Sequence, residues 1–204
     1  MRIKPFTVGP FGTNCYLVWD ESSGRALLID PGEYEASIEK SISEIGLELK
    51  YIILTHGHFD HTGGVDAFIT SSSGVVFAAS EADGSLMDGL KPDIFLKEND
   101  TVEVGTLSFR VLETPGHTEG SLCFYIPEYD SSLTDQMFSG TVFSGDTLFH
   151  SSVGRTDLPG GNFNKLKESI QKKLFSLPDD TLVLPGHMDA TTIGNEKKYN
   201  PFVR

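Results

Sequence analysis

The feature that most constrains the fold of this chain is a recurrence. Four separate apolar, strand-like runs each end in a glycine-containing turn that presents a histidine or an aspartate. Residues 51–54 lead into Thr55-His56-Gly57-His58-Phe59-Asp60-His61, and residues 107–113 into Thr114-Pro115-Gly116-His117. Residues 141–144 lead into Gly145-Asp146, and residues 182–184 into Pro185-Gly186-His187. Polar groups at the ends of strands are where α/β folds place their sites. The pattern therefore asks for an architecture that gathers four strand ends along one edge.

The residue types at those ends point to metal chemistry. In the first turn, alternate side chains point the same way, so His56 and His58 can converge on one ion. Asp60 and His61 follow on the next bend and can face a second. Five imidazoles and two carboxylates are too many for one tetrahedral zinc, but they suit two ions that share a bridging group. A set of His and Asp without Cys fits zinc first, with iron and manganese as alternatives. His150 belongs to no such turn and is expected in a loop. Phe59 is expected to pack into the core.

The rest of the chain supplies the scaffold. Residues 3–8, 14–19 and 25–29 are short β-branched or aromatic runs separated by turn formers, and read as successive strands. Over residues 33–45 the period changes, with Tyr34, Ile38, Ile42 and Ile45 on one helical face. Residues 62–70 and 162–175 are further helices, the latter on Phe163, Leu166, Ile170 and Leu174. Residues 75–79 and 122–126 are strands, residues 101–113 a hairpin about Gly105-Thr106, and 127–139 a polar surface loop. An antiparallel start followed by strand–helix alternation predicts a layered α/β sandwich.

Composition removes several classes of function. Acidic side chains number 29 and basic ones 16, a net charge of −13. A nucleic-acid or anionic-membrane partner needs a basic face, so neither is expected. No run is apolar and long enough for a membrane span, and no signal peptide is evident at the N-terminus. Cys15 and Cys123 lie in apolar strands far apart, as two buried free thiols of a cytoplasmic protein would.

With its His-x-His-x-Asp-His turn followed by His117, Asp146 and His187, the chain resembles the metallo-β-lactamase superfamily over essentially its whole length. The resemblance implies an αββα four-layer sandwich, two mixed sheets flanked by helices, in a single metallo-hydrolase domain spanning 1–204. It also implies one ion on His56, His58 and His117, another on Asp60, His61 and His187, and Asp146 bridging both. Asp60 and Asp146 are thereby expected to be catalytic. Asp30, in Leu28-Ile29-Asp30-Pro31-Gly32, matches a family aspartate that orients ligands.

Two segments narrow the branch. Residues 145–149 with Gly154-Arg155-Thr156-Asp157 resemble glyoxalase II and persulfide dioxygenases. The tail Thr192-Ile193-Gly194-Asn195-Glu196 with Asn200-Pro201-Phe202 resembles short glyoxalase II-like bacterial hydrolases. Only 17 residues follow His187, so the C-terminal helical region that helps full-length glyoxalase II hold glutathione is expected to be missing. The implied activity is hydrolysis of an S-lactoylglutathione-type thioester by a hydroxide shared between two ions. Arg155 is the candidate clamp for a substrate carboxylate. The alternative is an iron-dependent persulfide dioxygenase. A lactonase, a β-lactamase or a non-catalytic metal-binding module ranks lower. Two divalent ions beside Asp60 and Asp146 would leave the pocket cationic within an acidic protein, suiting an anionic substrate.

Overall fold

Strand periodicity sorts the apolar residues of this chain into three cores. In the computed structural model, which describes residues 1–129 and 138–203, Tyr16 and Val18 of one strand enter a core between two sheets. Their neighbours Cys15 and Leu17 face a helical layer instead. Leu27 and Ile29 against Ala26 and Leu28 repeat the division, as do Val111 and Phe143 against Leu112 and Val142 in the second sheet.

The first sheet holds β1 (Arg2–Val8), β2 (Thr13–Trp19), β3 (Arg25–Ile29), β4 (Glu48–Ile53), β5 (Val76–Ala79) and β6 (Ile94–Phe95), in that order. Its first three strands are antiparallel, and β3 to β6 run parallel. The second sheet is built from β7 (Thr101–Val104), β8 (Leu107–Glu113), β9 (Leu122–Tyr129) and β10 (Phe138–Gly145). A ribbon, β11 (Leu148–Phe149) and β12 (Ser152–Val153), leads on to β13 (Leu182–Pro185) and β14 (Thr191–Thr192). The second sheet's order is β14-β13-β10-β9-β8-β7, with only β10 and β13 parallel.

Helices α1 (Ala36–Ile45), α2 (Phe59–Thr62) and α3 (Val65–Ser71) belong to the first half; α4 (Phe163–Lys172) and α5 (Ile193–Tyr199) belong to the second. Ile38, Val65 and Phe68 pack with Leu17, Leu28 and Ile52, while Leu166, Ile170 and Ile193 pack with Val142 and Val183. The result is the expected αββα sandwich of two mixed sheets.

Several local expectations are corrected. Helix α1 begins only at Ala36, so Tyr34 precedes it and is exposed. Ile45 sits on its last turn and is exposed too. Residues 62–70 are two helices, because Gly63 and Gly64 lie against the backbone of Gly32 and Glu33. The loop at 127–139 is shorter than expected, since β9 runs to Tyr129 and β10 starts at Phe138; residues 130–137 lie outside the described residues. Cys15 and Cys123 are buried free thiols. No helix among the described residues is long and apolar enough to cross a membrane.

Candidate metal centre

The four predicted strand ends do meet, at one end of the sandwich. Strand β4 delivers Thr55 and His56, and the chain then turns through His58 into the single turn of α2, which carries Asp60 and His61. Strand β8 leads to His117, β10 to Asp146 and β13 to His187. The second sheet is pinned to the first at this end. Asn14 N donates to Gly186 O, Tyr16 Oη to Pro185 O, and Leu122 N to Thr55 O. A Cβ at Gly186 would overlap Asp146 and His61, so only glycine lets the last turn close on the cluster.

The side chains form three overlapping groups with ligand atoms within 4.8 Å of one another: His56, His58 and His117; His56, His61 and Asp146; Asp60, His61 and His187. His58 Nδ1 lies 2.9 Å from His117 Nε2, which is 3.3 Å from His56 Nε2. His61 Nε2 stands 3.4 Å from His187 Nε2. His117 Nε2 and His187 Nε2 are 3.5 and 3.6 Å from Asp146 Oδ2.

Proton positions follow from the outward partners. His117 Nδ1 donates to Arg155 O at 2.7 Å, and His61 Nδ1 to Asp30 Oδ2 at 2.9 Å. Thr55 Oγ1 donates to Asp30 Oδ2 at 2.6 Å, leaving its lone pairs to accept from His56 Nδ1 at 3.2 Å. In the neutral form each of these three rings therefore carries its proton on Nδ1 and aims the Nε2 lone pair inward. Buried Asp30 thus orients two imidazoles, and also accepts from Thr55 N at 2.7 Å. It adopts a left-handed backbone, φ 51°, which aspartate tolerates better than most residues.

The carboxylates give the cluster a field that favours cations, so protons and metal ions compete for His61. Burial and the neighbouring imidazoles push the pKa of His56 and His58 down, which keeps them neutral. Burial opposes charge on His61 too, but Asp30 and Asp146 outweigh it and raise its pKa to about 10. Asp60 resists burial through its contacts with His187 and His61, and its pKa falls to about 2. Asp146 is likewise held ionised against burial, chiefly by His61. Yet Asp146 Oδ1 is buried without a hydrogen-bond donor in place: the nitrogen facing it, His61 Nε2 at 3.4 Å, bears only a lone pair in the neutral ring. A buried carboxylate oxygen without a donor is costly unless a cation faces it. Inward lone pairs around an unsatisfied carboxylate fit divalent ions.

Beside the cluster opens a cleft of about 570 Å³, lined by His58, Asp60, His117, Asp146 and His187 and by Phe11, Phe59, Leu86, Phe149, Ser152, Val153, Arg155, Leu158, Pro159 and Met188. Phe59 is a correction: it is 66% exposed and packs edge-on against Phe11 at the rim, because the α2 turn points it away from the core. Arg155 lines the cleft, but its guanidinium also makes a bidentate, solvent-exposed pair with Asp157 at 2.7 and 2.8 Å. His150 is exposed and stands apart from the three groups.

Sequence reasoning missed two buried acids. Asp83 accepts from Gly57 N, Thr118 Oγ1 and Gly120 N. Glu196 accepts from Ser151 N, Thr191 Oγ1 and Asn200 Nδ2, and so ties the tail to the β11–β12 ribbon beside the cleft. The Asn195-Glu196 and Asn200 pattern in the tail is the signal that could have found the second. Nothing local flags the first.

Comparisons with known proteins agree with this picture. The metallo-beta-lactamase superfamily model matches residues 8–187. The chain is 34% identical to hydroxyacylglutathione hydrolase GloC of Haemophilus influenzae, covering all of this chain and 98% of that protein. Among solved structures, ETHE1 from Myxococcus xanthus is 31% identical, with a TM-score of 0.83 over all of this chain and 84% of that one. TTHA1623, solved in a di-iron-bound form, is 36% identical, with a TM-score of 0.81 over 98% of this chain and 99% of that one.

Proposed function

Since the chain belongs to the metallo-beta-lactamase superfamily, we propose that this metallo-hydrolase cleaves an anionic thioester of the S-lactoylglutathione type into a hydroxy acid and a thiol. One divalent ion would sit on His56, His58 and His117, the other on Asp60, His61 and His187, with Asp146 between them. Bound there, such ions supply Lewis acidity and a water acidic enough to act as nucleophile near neutral pH. Zinc is the first candidate, and the di-iron form of TTHA1623 keeps iron in view.

The cleft lining carries the substrate assignment. Apart from the proposed ligands, the only side chains with polar hydrogens among the described residues lining it are Ser152 and the permanently charged Arg155. Among the described residues lining this cleft, no spare carboxylic acid, tyrosine or lysine stands ready to protonate a leaving group. A thiolate, whose conjugate acid has a pKa near 8.5, departs without that help, whereas an amine or alkoxide needs it. Full-length likeness to a hydroxyacylglutathione hydrolase supports the same substrate.

The chain's own residues then have defined tasks. Asp30 holds the protons of His61 and, through Thr55, of His56 on Nδ1. The Arg155 carbonyl does the same for His117. The Arg155 side chain would release Asp157 to clamp a substrate carboxylate. Phe11, Phe59 and Phe149 keep water from the cleft walls. We assign the protein to the cytoplasm on its two buried free thiols, and residues 1–204 to one catalytic unit.

Likeness to ETHE1, together with the Gly154-Arg155-Thr156-Asp157 segment, favours a second reading: an iron-dependent dioxygenase acting on a thiol persulfide. One pair of assays separates the two. Thiol release from S-lactoylglutathione without oxygen uptake supports the hydrolase. Oxygen uptake with glutathione persulfide, and no thioester cleavage, supports the dioxygenase.

A further inference from the structure

Asp83 lies on a short helical turn after β5, at a distance in sequence from every proposed ligand, and is 1% exposed. Its Oδ2 accepts from Gly57 N at 2.9 Å and from Thr118 Oγ1 at 2.8 Å; Oδ1 accepts from Gly120 N at 2.8 Å. Gly57 is the residue between His56 and His58. Thr118 and Gly120 follow His117 directly. One buried carboxylate thus joins the turn from the first sheet to the turn from the second.

Both glycines are shaped around this group. A Cβ at Gly57 would come within 3.0 Å of Asp83 Cβ, and one at Gly120 within 2.7 Å of the Asp83 carboxyl carbon. A side chain at either position would push the carboxylate off its donors. Thr118 is braced in turn, with its hydroxyl 2.7 Å from Ser121 Oγ, which accepts from Thr118 N.

None of these contacts reaches Asp60, His61 or His187, whose orientation rests on Asp30, Thr13 and the turn at Gly186. We infer that Asp83 is a positioning residue for one ion only: it fixes the spacing of His56 and His58 from His117 without acting on the Asp60–His61–His187 side. This rests on the two-ion reading above. Asp30 acts on both halves, through His61 and through Thr55 and His56, whereas Asp83 would act on the first alone, so the two affinities would be separable.

Asp83→Asn is the direct test. The amide keeps the shape and one acceptor oxygen, which can serve Gly120 N. Its NH2 group then faces Gly57 N–H, leaving that buried donor without an acceptor. Metal-free protein is titrated with Zn2+ and with Co2+ by equilibrium dialysis, with elemental analysis at each point, and the Co2+ absorption spectrum reports each site. Two ions on the wild type, and one of them weakened about 10–100-fold in Asp83→Asn with the other unchanged, is the expected result. Equal weakening of both ions, or of neither, overturns the inference while leaving the two-ion reading intact. A wild type that binds fewer than two ions overturns that reading and the inference with it. If Asp83→Asn fails to fold, Thr118→Val removes one donor and leaves the carboxylate in place. It should weaken the same single ion several-fold, and loss of both or of neither again counts against the inference.

Discussion

Two aspartates at opposite ends of the sandwich have opposite surroundings. Asp20, at the end far from the site, accepts from Ser22 N, Ser22 Oγ, Ser23 Oγ and Thr106 N. It ties the turn after β2 to the β7–β8 turn and so clasps the two sheets together. Although partial desolvation works against its charge, those donors hold its pKa well below the usual carboxylate range. Asp146, at the site end, is more open to solvent, with its side chain 11% exposed, yet its buried oxygen has no donor. A saturated carboxylate serves stability, and an unsatisfied one among inward-facing imidazoles is poised for a cation. Burial of an acid alone distinguishes neither role; the count of donors does.

Breaking the unsatisfied end should have the largest effect. Asp146→Ala is expected to cut kcat/KM by about 10³-fold or more, since several kcal/mol of metal-based stabilisation depend on that position. Circular dichroism of the same variant should show a folded chain. Asp30→Asn probes the support behind it. Asparagine tolerates the left-handed backbone, so the substitution isolates the carboxylate's hold on Thr55 and His61. Metal affinity should fall about 10–100-fold, measured by competition with a chelator.

At the other end the prediction reverses. Asp20→Asn should cost about 1–3 kcal/mol in urea unfolding, the scale of charged hydrogen bonds, with kcat/KM of the folded enzyme unchanged. The sign in pH follows from the depressed native pKa. The Asp20 contribution is complete above the ordinary carboxylate pKa of about 4 and is lost as pH falls below it. The stability difference between wild type and Asp20→Asn should therefore shrink on acidification from pH 6 to pH 3. A difference that holds constant would show that the carboxylate charge is not what the clasp uses.

Smaller effects sharpen the edges of the site. Arg155→Ala should raise KM for an anionic thioester several-fold with little change in Tm, because its pair with Asp157 is exposed and contributes little to stability. An unchanged KM would leave Arg155 as Asp157's partner alone. His150→Ala should change neither activity nor metal content.

The same contrast explains what the sequence made legible. The candidate ligands stand out because each sits in a glycine turn at the end of an apolar run, a short-range pattern. The αββα layering was legible for the same reason: period-2 and period-3.6 signals are local. Supports were legible only when local, as with Asp30 in Asp30-Pro31-Gly32. Asp83 gains its role from amides 26 and 37 residues away, and Asp20 gains its clasp from Thr106, 86 residues away. Such pairings exist only once the sheets have packed. For Phe59 the aromatic side chain alone suggests core packing, while the one-turn helix α2 points it to the rim.

The central claim, that the cluster from His56 to His187 holds two ions that serve thioester hydrolysis, is tested most directly on one preparation. Elemental analysis of the purified protein is paired with thiol release from S-lactoylglutathione, before chelation, after it, and after metal is restored. Two ions per chain, with turnover lost and regained alongside them, is the predicted result. A chain loaded with two ions that leaves this thioester untouched, or one that cleaves it after chelation, would contradict the account.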